Sequence, residues 1–371
     1  MICTPDDLGG VIRVSIGLRI KSARTAAGMS MRALAERVGL SHNQIAKYER
    51  GDDMPGSAAL LRLSDALAVS PDYFFREPSV TLGAPAWRKK SSMGVRRQAQ
   101  VLARIEDWLE RYLELESLME PWQLETESFV HPLDLPRQLQ TGEEAELVAA
   151  SLRDQWQLGL DPIENVAELL EARGIKVWTV DGVDGFDGCC VRMDDSVPVI
   201  AISGDYPADR QRFDLLHELG HLLFDVPEGR DGERLLHRFA GAMLFPREMV
   251  FREMSARRSR LDIATLHLLK HQYGLSMQSI AARAHDLGII TDSYYQSFCI
   301  MFRRNGWHKV EPGDAYEQGA KATRFERLLF TALAEDVISR SRAAELLGKP
   351  LEQHMTEFGL EHEGLEPVAG S

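Results

Sequence analysis

Apolar positions along residues 11–78 recur at helical spacing in short bursts broken by serine, glycine and proline. Ile16, Ile20 and Ala23 share a face that stops at Gly28. Leu34, Ala35 and Val38 follow Ser30 and stop at Gly39, and Ile45 and Tyr48 follow Ser41 and stop at Gly51. Leu60, Leu63, Leu67 and Val69 form a further face beyond Pro55, and Ser70-Pro71 opens another turn. A serine ahead of an apolar burst can accept from first-turn amides, and a glycine behind it tolerates the left-handed conformation that ends a helix. The spacing therefore predicts five short helices in one compact all-α domain over 11–78.

The pattern changes after that. Residues 76–98 lose periodicity and hold Pro78, Gly83, Pro85 and the basic residues Arg88, Lys89, Lys90, Arg96 and Arg97, which reads as a solvated linker. Leu102, Ile105, Trp108, Leu109, Tyr112 and Leu113 predict an amphipathic helix over 99–119, either a dimer seam or a helix packed on the next domain. A proline-bearing connector covers 120–141. Two helices ending at glycines precede three β-rich runs, IKVWTV, GCCVRM and VPVIAI. Helices are expected over 208–224, 231–244, 262–290 with a break at 274–276, and twice within 323–347, with a frayed tail after 358. Residues near 335–348 look like a docking or dimer element.

The chain of 371 residues is long for a single core, so more than one domain is expected. The formal net charge of -13 argues against a protein coated for nucleic acid. The charge is uneven, however: residues 1–78 carry 10 basic against 9 acidic side chains, so this segment alone can approach phosphates without repulsion. No apolar run spans a bilayer and no secretory signal is visible, which predicts a cytoplasmic protein with no membrane contact. The 4 cysteines, two of them adjacent at Cys189-Cys190, include no CxxC pair, so neither a disulfide scaffold nor a cysteine zinc site is expected. Cys189 and Cys190 read as buried small hydrophobes.

One apolar run carries chemistry. FDLLHELGHLLF over 213–224 contains His217, Glu218 and His221. Residues i and i+4 share a helix face, so both imidazoles can reach one ion while Glu218 takes a proton from a water. A packing role alone sits poorly with Gly220, because glycine weakens a helix interior by about 1 kcal/mol. A small residue there suits close approach of another backbone. A catalytic zinc usually has three protein ligands. The next helix, in GERLLHRFAGAMLFP, sets Glu233 and His237 four residues apart, and Glu233 is expected as the third ligand. His237 could donate to an oxyanion, orient a ligand or replace Glu233.

These residues carry a likeness. RQRFDLLHELGHLLF, Glu233, HRFAGAMLFP and LLKHQYGLSMQSIAARAHDLGII resemble the ImmA/IrrE family of metallopeptidases over about residues 140–292. The resemblance implies a small α+β gluzincin-like fold with ligands His217, His221 and Glu233 and Glu218 as general base. It also implies cleavage of a repressor protein in a stress response. His237 stands where the family often has asparagine. Residues 16–75 resemble the xenobiotic-response-element (XRE) class of helix-turn-helix, the phage-repressor type, through ALAERVGLSHNQIAKYERGDDMP and its flanks. By that pattern the N-terminal end of the second helix of the motif meets base edges in the major groove. His42, Asn43 and Lys47 would face bases, Asn43 suiting adenine and Lys47 guanine or phosphate, with Ser41 and Gln44 on the DNA backbone. Met31 departs from the class, which usually has a phosphate-binding glutamine there.

The expected architecture is thus multi-domain and mainly α. It comprises a helix-turn-helix domain over 11–78, a linker with one amphipathic helix over 79–139, a metallopeptidase domain with a small sheet over 140–292, and a helical C-terminal region over 293–371. The expected function is a homodimeric, operator-binding transcriptional regulator with a zinc-dependent endopeptidase domain acting on a regulatory protein or on itself. Manganese is an alternative to Zn2+ in a carboxylate-containing site. A non-enzymatic regulator whose peptidase domain senses an effector, and an antitoxin-like autoregulator, are the competing readings.

Overall fold

The structure is a computed structural model that describes residues 5–87, 93–94, 95–120, 129, 131–132, 135–194, 196–317 and 321–357. Arg88, Lys89 and Lys90 of the basic cluster and the tail after 357 lie outside the described residues. The chain divides into two compact units. The first gathers residues 1–81, 94–125 and 324–371, and the second 82–93 and 126–323.

The first unit opens with α1 (Pro5–Ala26), α2 (Met31–Val38), α3 (His42–Arg50) and α4 (Ser57–Leu67), followed by a 3-10 turn over Pro71–Phe75. The fifth predicted helix is therefore a single 3-10 turn, too short for α-helical hydrogen bonds to accumulate. Ser30 and Ser41 cap α2 and α3 by accepting from the Ala33 and Gln44 amides, and Gly39 and Gly51 end those helices at φ 67° and 76°. Ile16, Ile20, Leu34, Val38, Ile45, Leu63 and Phe74 form the core, with Met31 packed at its margin. Gly17 is needed where α1 crosses α3, because a Cβ there would lie 2.4 Å from the Tyr48 carbonyl oxygen. Arg24 of α1 holds Glu49 of α3 through two hydrogen bonds of 2.5 and 2.9 Å.

Helix α5 (Val95–Met119) starts earlier than its apolar pattern suggests. Its buried face, including Ile105, Leu109 and Tyr112, is taken up by α1 and by two C-terminal helices of the same unit, α14 (Arg324–Ala334) and α15 (Arg340–Leu347). Of the side chains that suggested a dimer seam, Ile105, Trp108, Leu109 and Tyr112 are thus already packed, while Leu102 and Leu113 are half-buried. Arg111 donates to the Leu346 carbonyl at 2.9 Å, which ties α5 to the end of α15. A last helix, α16 (Leu351–Glu357), follows.

The second unit contains β1 (Ala86–Trp87), α6 (Gly142–Gln155), α7 (Val166–Ala172), β2 (Lys176–Val180), β3 (Gly188–Met193) and β4 (Val197–Ser203). Helices α8 (Ala208–Leu223), α9 (Arg230–Leu244), α10 (Arg247–Met254), α11 (Ile263–Tyr273), α12 (Met277–Asp286) and α13 (Asp292–Arg304) complete it. The strand order is β1-β3-β4-β2, with β2 parallel to β4 and the other pairs antiparallel. Helix α8 packs on β3 and β4, and α9 packs on α6 and α8, so the apolar core runs between the sheet and these helices. Arg212 of α8 is fully buried and donates to the carbonyls of Ile163 and Glu164, which anchors the helix to the loop before α7. Burial lowers its pKa, yet a guanidinium remains charged. No helix among the described residues is long and apolar enough to cross a membrane.

Candidate metal centre and DNA-facing helix

Helix α8 carries His217, Glu218 and His221 in its last two turns, where Leu215, Leu216 and Leu219 are fully buried beside them. The chain then turns through Gly229, whose φ of 88° suits glycine, and re-enters as α9. Gly232 lets the first turn of α9 close on the loop, since a Cβ there would lie 2.0 Å from the Pro227 carbonyl oxygen. This brings Glu233 onto the two histidines. His217 Nε2 lies 3.3 Å from Glu233 Oε2, and His221 Nε2 lies 3.8 Å from Glu233 Oε1.

The three residues each offer one ligand atom, and these atoms all lie within 4.8 Å of one another. A tetrahedral zinc with bonds of about 2.0–2.1 Å sets adjacent donors about 3.3 Å apart. The two histidine–glutamate distances, 3.3 and 3.8 Å, approach that separation, and the two-imidazole, one-carboxylate donor set suits that ion. Glu233 has a carboxyl pulled down to about 2, first by its hydrogen bond with His217, so it is ionised at neutral pH. Glu218 is fully buried beside this group. Its Oε1 would lie 3.1 Å from a Cβ at Gly188, so glycine at the start of β3 makes room for the carboxylate. Nothing in the local pattern marks Gly188, because its partner is distant in sequence.

His237 follows Glu233 by four residues on α9. Its ring centroid is 4.8 Å from that of His217 and 5.7 Å from that of Phe213. It stands outside the three-residue ligand group and lines a cavity of ≈ 600 Å³ with Arg234, Arg238, His285, Asp286 and Tyr295. Gly220 does permit close packing, but against side chains: a Cβ there would lie 2.9 Å from Leu236 Cδ2 of α9 and 3.3 Å from Phe239. Cys189 and Cys190 are buried, and burial pushes both thiols well up from their usual range. That leaves them as protonated core side chains at neutral pH.

In the first unit, His42, Asn43 and Lys47 are exposed along α3. Ser41 Oγ accepts from the Gln44 amide, while the Gln44 side chain donates to Asp53 Oδ2 at 2.6 Å. Gln44 is thus already held within the protein, and Ser41 is engaged as a cap.

Residues 20–74 match the helix-turn-helix family and residues 171–285 match the family described as IrrE N-terminal-like domain. The chain joins an XRE-type helix-turn-helix domain to an IrrE-like domain. The two matches fall in different compact units. The chain is similar to an HTH-type transcriptional regulator of Sinorhizobium fredii, at 38% identity over 20% of this chain and 55% of that protein. It is similar to a transcriptional regulator in the ATPase CF(0) region of Rhodospirillum rubrum, at 42% over 17% and 57%. It also resembles the HTH-type transcriptional regulator ImmR of Bacillus subtilis, at 35% over 18% and 54%. The chain thus spans about half the length of these relatives. The IrrE-like domain holds the His217, His221 and Glu233 cluster, and the helix-turn-helix domain holds α3.

Proposed function

We propose that the protein is a DNA-binding transcriptional regulator whose IrrE-like domain is a zinc-dependent endopeptidase acting on a regulatory protein or on the chain itself. The observation that carries this reading is the convergence of His217, His221 and Glu233 within ligating distance, with Glu218 buried alongside. His217, His221 and Glu233 would hold the ion. Bound there, zinc would lower the pKa of a water to about 7 and polarise a peptide carbonyl. Manganese is a second possible occupant of a site with a carboxylate.

Glu218 is the general base: its carboxylate takes the water proton and later delivers it to the departing amine. His237 is assigned to the carbonyl oxygen, where a ring N–H would donate as negative charge builds. A site that only sensed an effector would not need Glu218. On the DNA side, His42, Asn43 and Lys47 are assigned to base edges, and Ser41 and Gln44 to the phosphate backbone. Two half-sites and a homodimer follow from the weak affinity of one such domain.

The test is Glu218→Gln in the full chain, with metal content, operator binding and cleavage of proteins encoded beside it measured together. General-base loss alone should slow cleavage by about two to four powers of ten, with zinc and DNA binding retained. Unchanged regulation by the variant in cells would remove the peptidase reading.

A further inference from the structure

Strand β3 is bonded to β4 along one edge and to β1 along the other. The second partner is a piece of the segment between the two domains. Ala86 pairs with Cys190 and Trp87 with Cys189, antiparallel. Leu82 bridges Met193, and the Gly83 amide donates to the Arg192 carbonyl at 2.8 Å. Residues 82–87 thus run along β3 from its far end toward its start. The next position of β3 beyond Cys189 is Gly188, the residue packed on Glu218.

An extended peptide binds a sheet edge because the edge offers a row of backbone donors and acceptors. The edge of β3 that ends at Glu218 is the one that would lead a peptide bond to the general base, and residues 82–87 already lie on it. We propose that this edge is the docking surface for an extended, unfolded protein segment, and that residues 82–87 are a tethered competitor that such a segment must displace. The proposal deepens the peptidase reading and rests on it.

The occupant is suited to leaving. Gly83 is a poor strand residue, and Pro85 has no amide to give to a ladder. Only two residues form a regular strand. A tethered segment nevertheless competes at an effective concentration in the millimolar range, which is enough to weaken a peptide of micromolar to millimolar affinity. A helical segment or a central strand could not use the edge, because its own backbone groups are already paired. The substrate class that fits is a segment without secondary structure, such as an interdomain linker or a locally unfolded stretch.

The test uses the full-length, zinc-loaded Glu218→Gln protein, which binds without turnover, and a fluorescent synthetic peptide with the sequence of residues 79–87. Two variants release the strap: Gly83→Pro, which clashes with the Arg192 carbonyl and removes a donor, and a glycine-serine replacement of residues 82–87 at equal length. Peptide affinity by anisotropy should rise about tenfold or more in both, and β3 amides should exchange faster until peptide is added. Equal affinity in all three proteins would overturn the proposal. So would a strap replacement that loses stability without gaining affinity, since β1 would then be an ordinary structural strand. Restoring Glu218 separates the two readings. Tighter binding with no cleavage of the peptide or of casein keeps the docking edge and removes the peptidase. Cleavage that is indifferent to the strap keeps the peptidase and removes the competitor.

Discussion

His217 Nε2 and Glu233 Oε2 lie 3.3 Å apart, although they sit on consecutive helices joined by a glycine-bearing loop. This distance depends on a glycine in each helix: Gly232 folds the first turn of α9 onto Pro227, and Gly220 of α8 lets Leu236 and Phe239 of α9 pack close. The convergence of His217, His221 and Glu233 is therefore a product of helix packing.

His217→Ala and His221→Ala should abolish stoichiometric zinc, and Glu233→Ala should do the same. Even changes to groups that merely orient a ligand cost 10–100-fold in affinity, so a lost ligand should exceed about 100-fold. Metal analysis after dialysis, with circular dichroism to show that the helices persist, reads the outcome. Retention of one zinc per chain in all three variants would remove the site.

Asn43→Ala should weaken operator binding by roughly 1–3 kcal/mol and leave random-sequence binding nearly unchanged, because a base-edge contact discriminates. Lys47→Ala should weaken both if it meets phosphate, and should then lower the salt slope by about one. Gln44→Ala should have a smaller effect than either, since its side chain is committed to Asp53. Titrations at two salt concentrations on operator and scrambled DNA separate these cases.

Gly17→Ala sets two effects against each other. Alanine favours a helix interior by about 1 kcal/mol over glycine. Against that, its Cβ would lie 2.4 Å from a backbone carbonyl of α3, which cannot swing away as a side chain could. Overpacking of this kind costs about 1–3 kcal/mol or more, so the net effect should be destabilising. Denaturant unfolding of the full chain should show the first unit melting earlier, with loss of operator binding. A stabilised variant would mean that α1 can shift away from α3 at little cost.

Much of this architecture was legible where the signal is local. The caps at Ser30 and Ser41 and the left-handed Gly39 and Gly51 are fixed by side chains a few residues apart. The three long strands and helices α8 and α9 followed from continuous apolar runs. Helix α10 was not foreseen, and α13 and α16 were covered only by the general expectation of a helical C-terminal region: α10 and α13 each bury only two residues along their length, too few for a period to show. Strand β1 was hidden in a stretch read as linker, because its pairing partner is distant and its own length is two residues. The HExxH pattern pointed to three residues of the candidate site, whereas Gly188 and the Glu146–Arg283 pair depend on contacts across the fold.

Glu146 of α6 holds the helices around the site together. It is 5% exposed, accepts two hydrogen bonds from Arg283 of α12 and another from Arg238 of α9 at 2.8 Å, and so ties α9, which carries Glu233, to its neighbours. Burial alone would raise its carboxyl pKa, but the hydrogen bonds and charge of Arg283 and Arg238 carry it below the usual range. A carboxylate depressed on folding adds stability at pH values above its unfolded pKa of about 4.3. That contribution is lost as the pH falls through the lower folded value. Glu146→Gln should therefore destabilise the second unit at neutral pH by about 3–5 kcal/mol, because Arg283 is left buried without its countercharge. The melting temperature should drop by roughly 6–20 °C, and the variant should lose less stability than wild type on acidification to pH 3. The double variant Glu146→Leu with Arg283→Met, which removes both charges, should recover much of the loss, since a buried ion pair contributes little relative to a well-packed apolar pair. If Glu146→Gln melted like wild type at pH 7, the pair would be a bystander, and the positioning of α9 would rest on apolar packing alone.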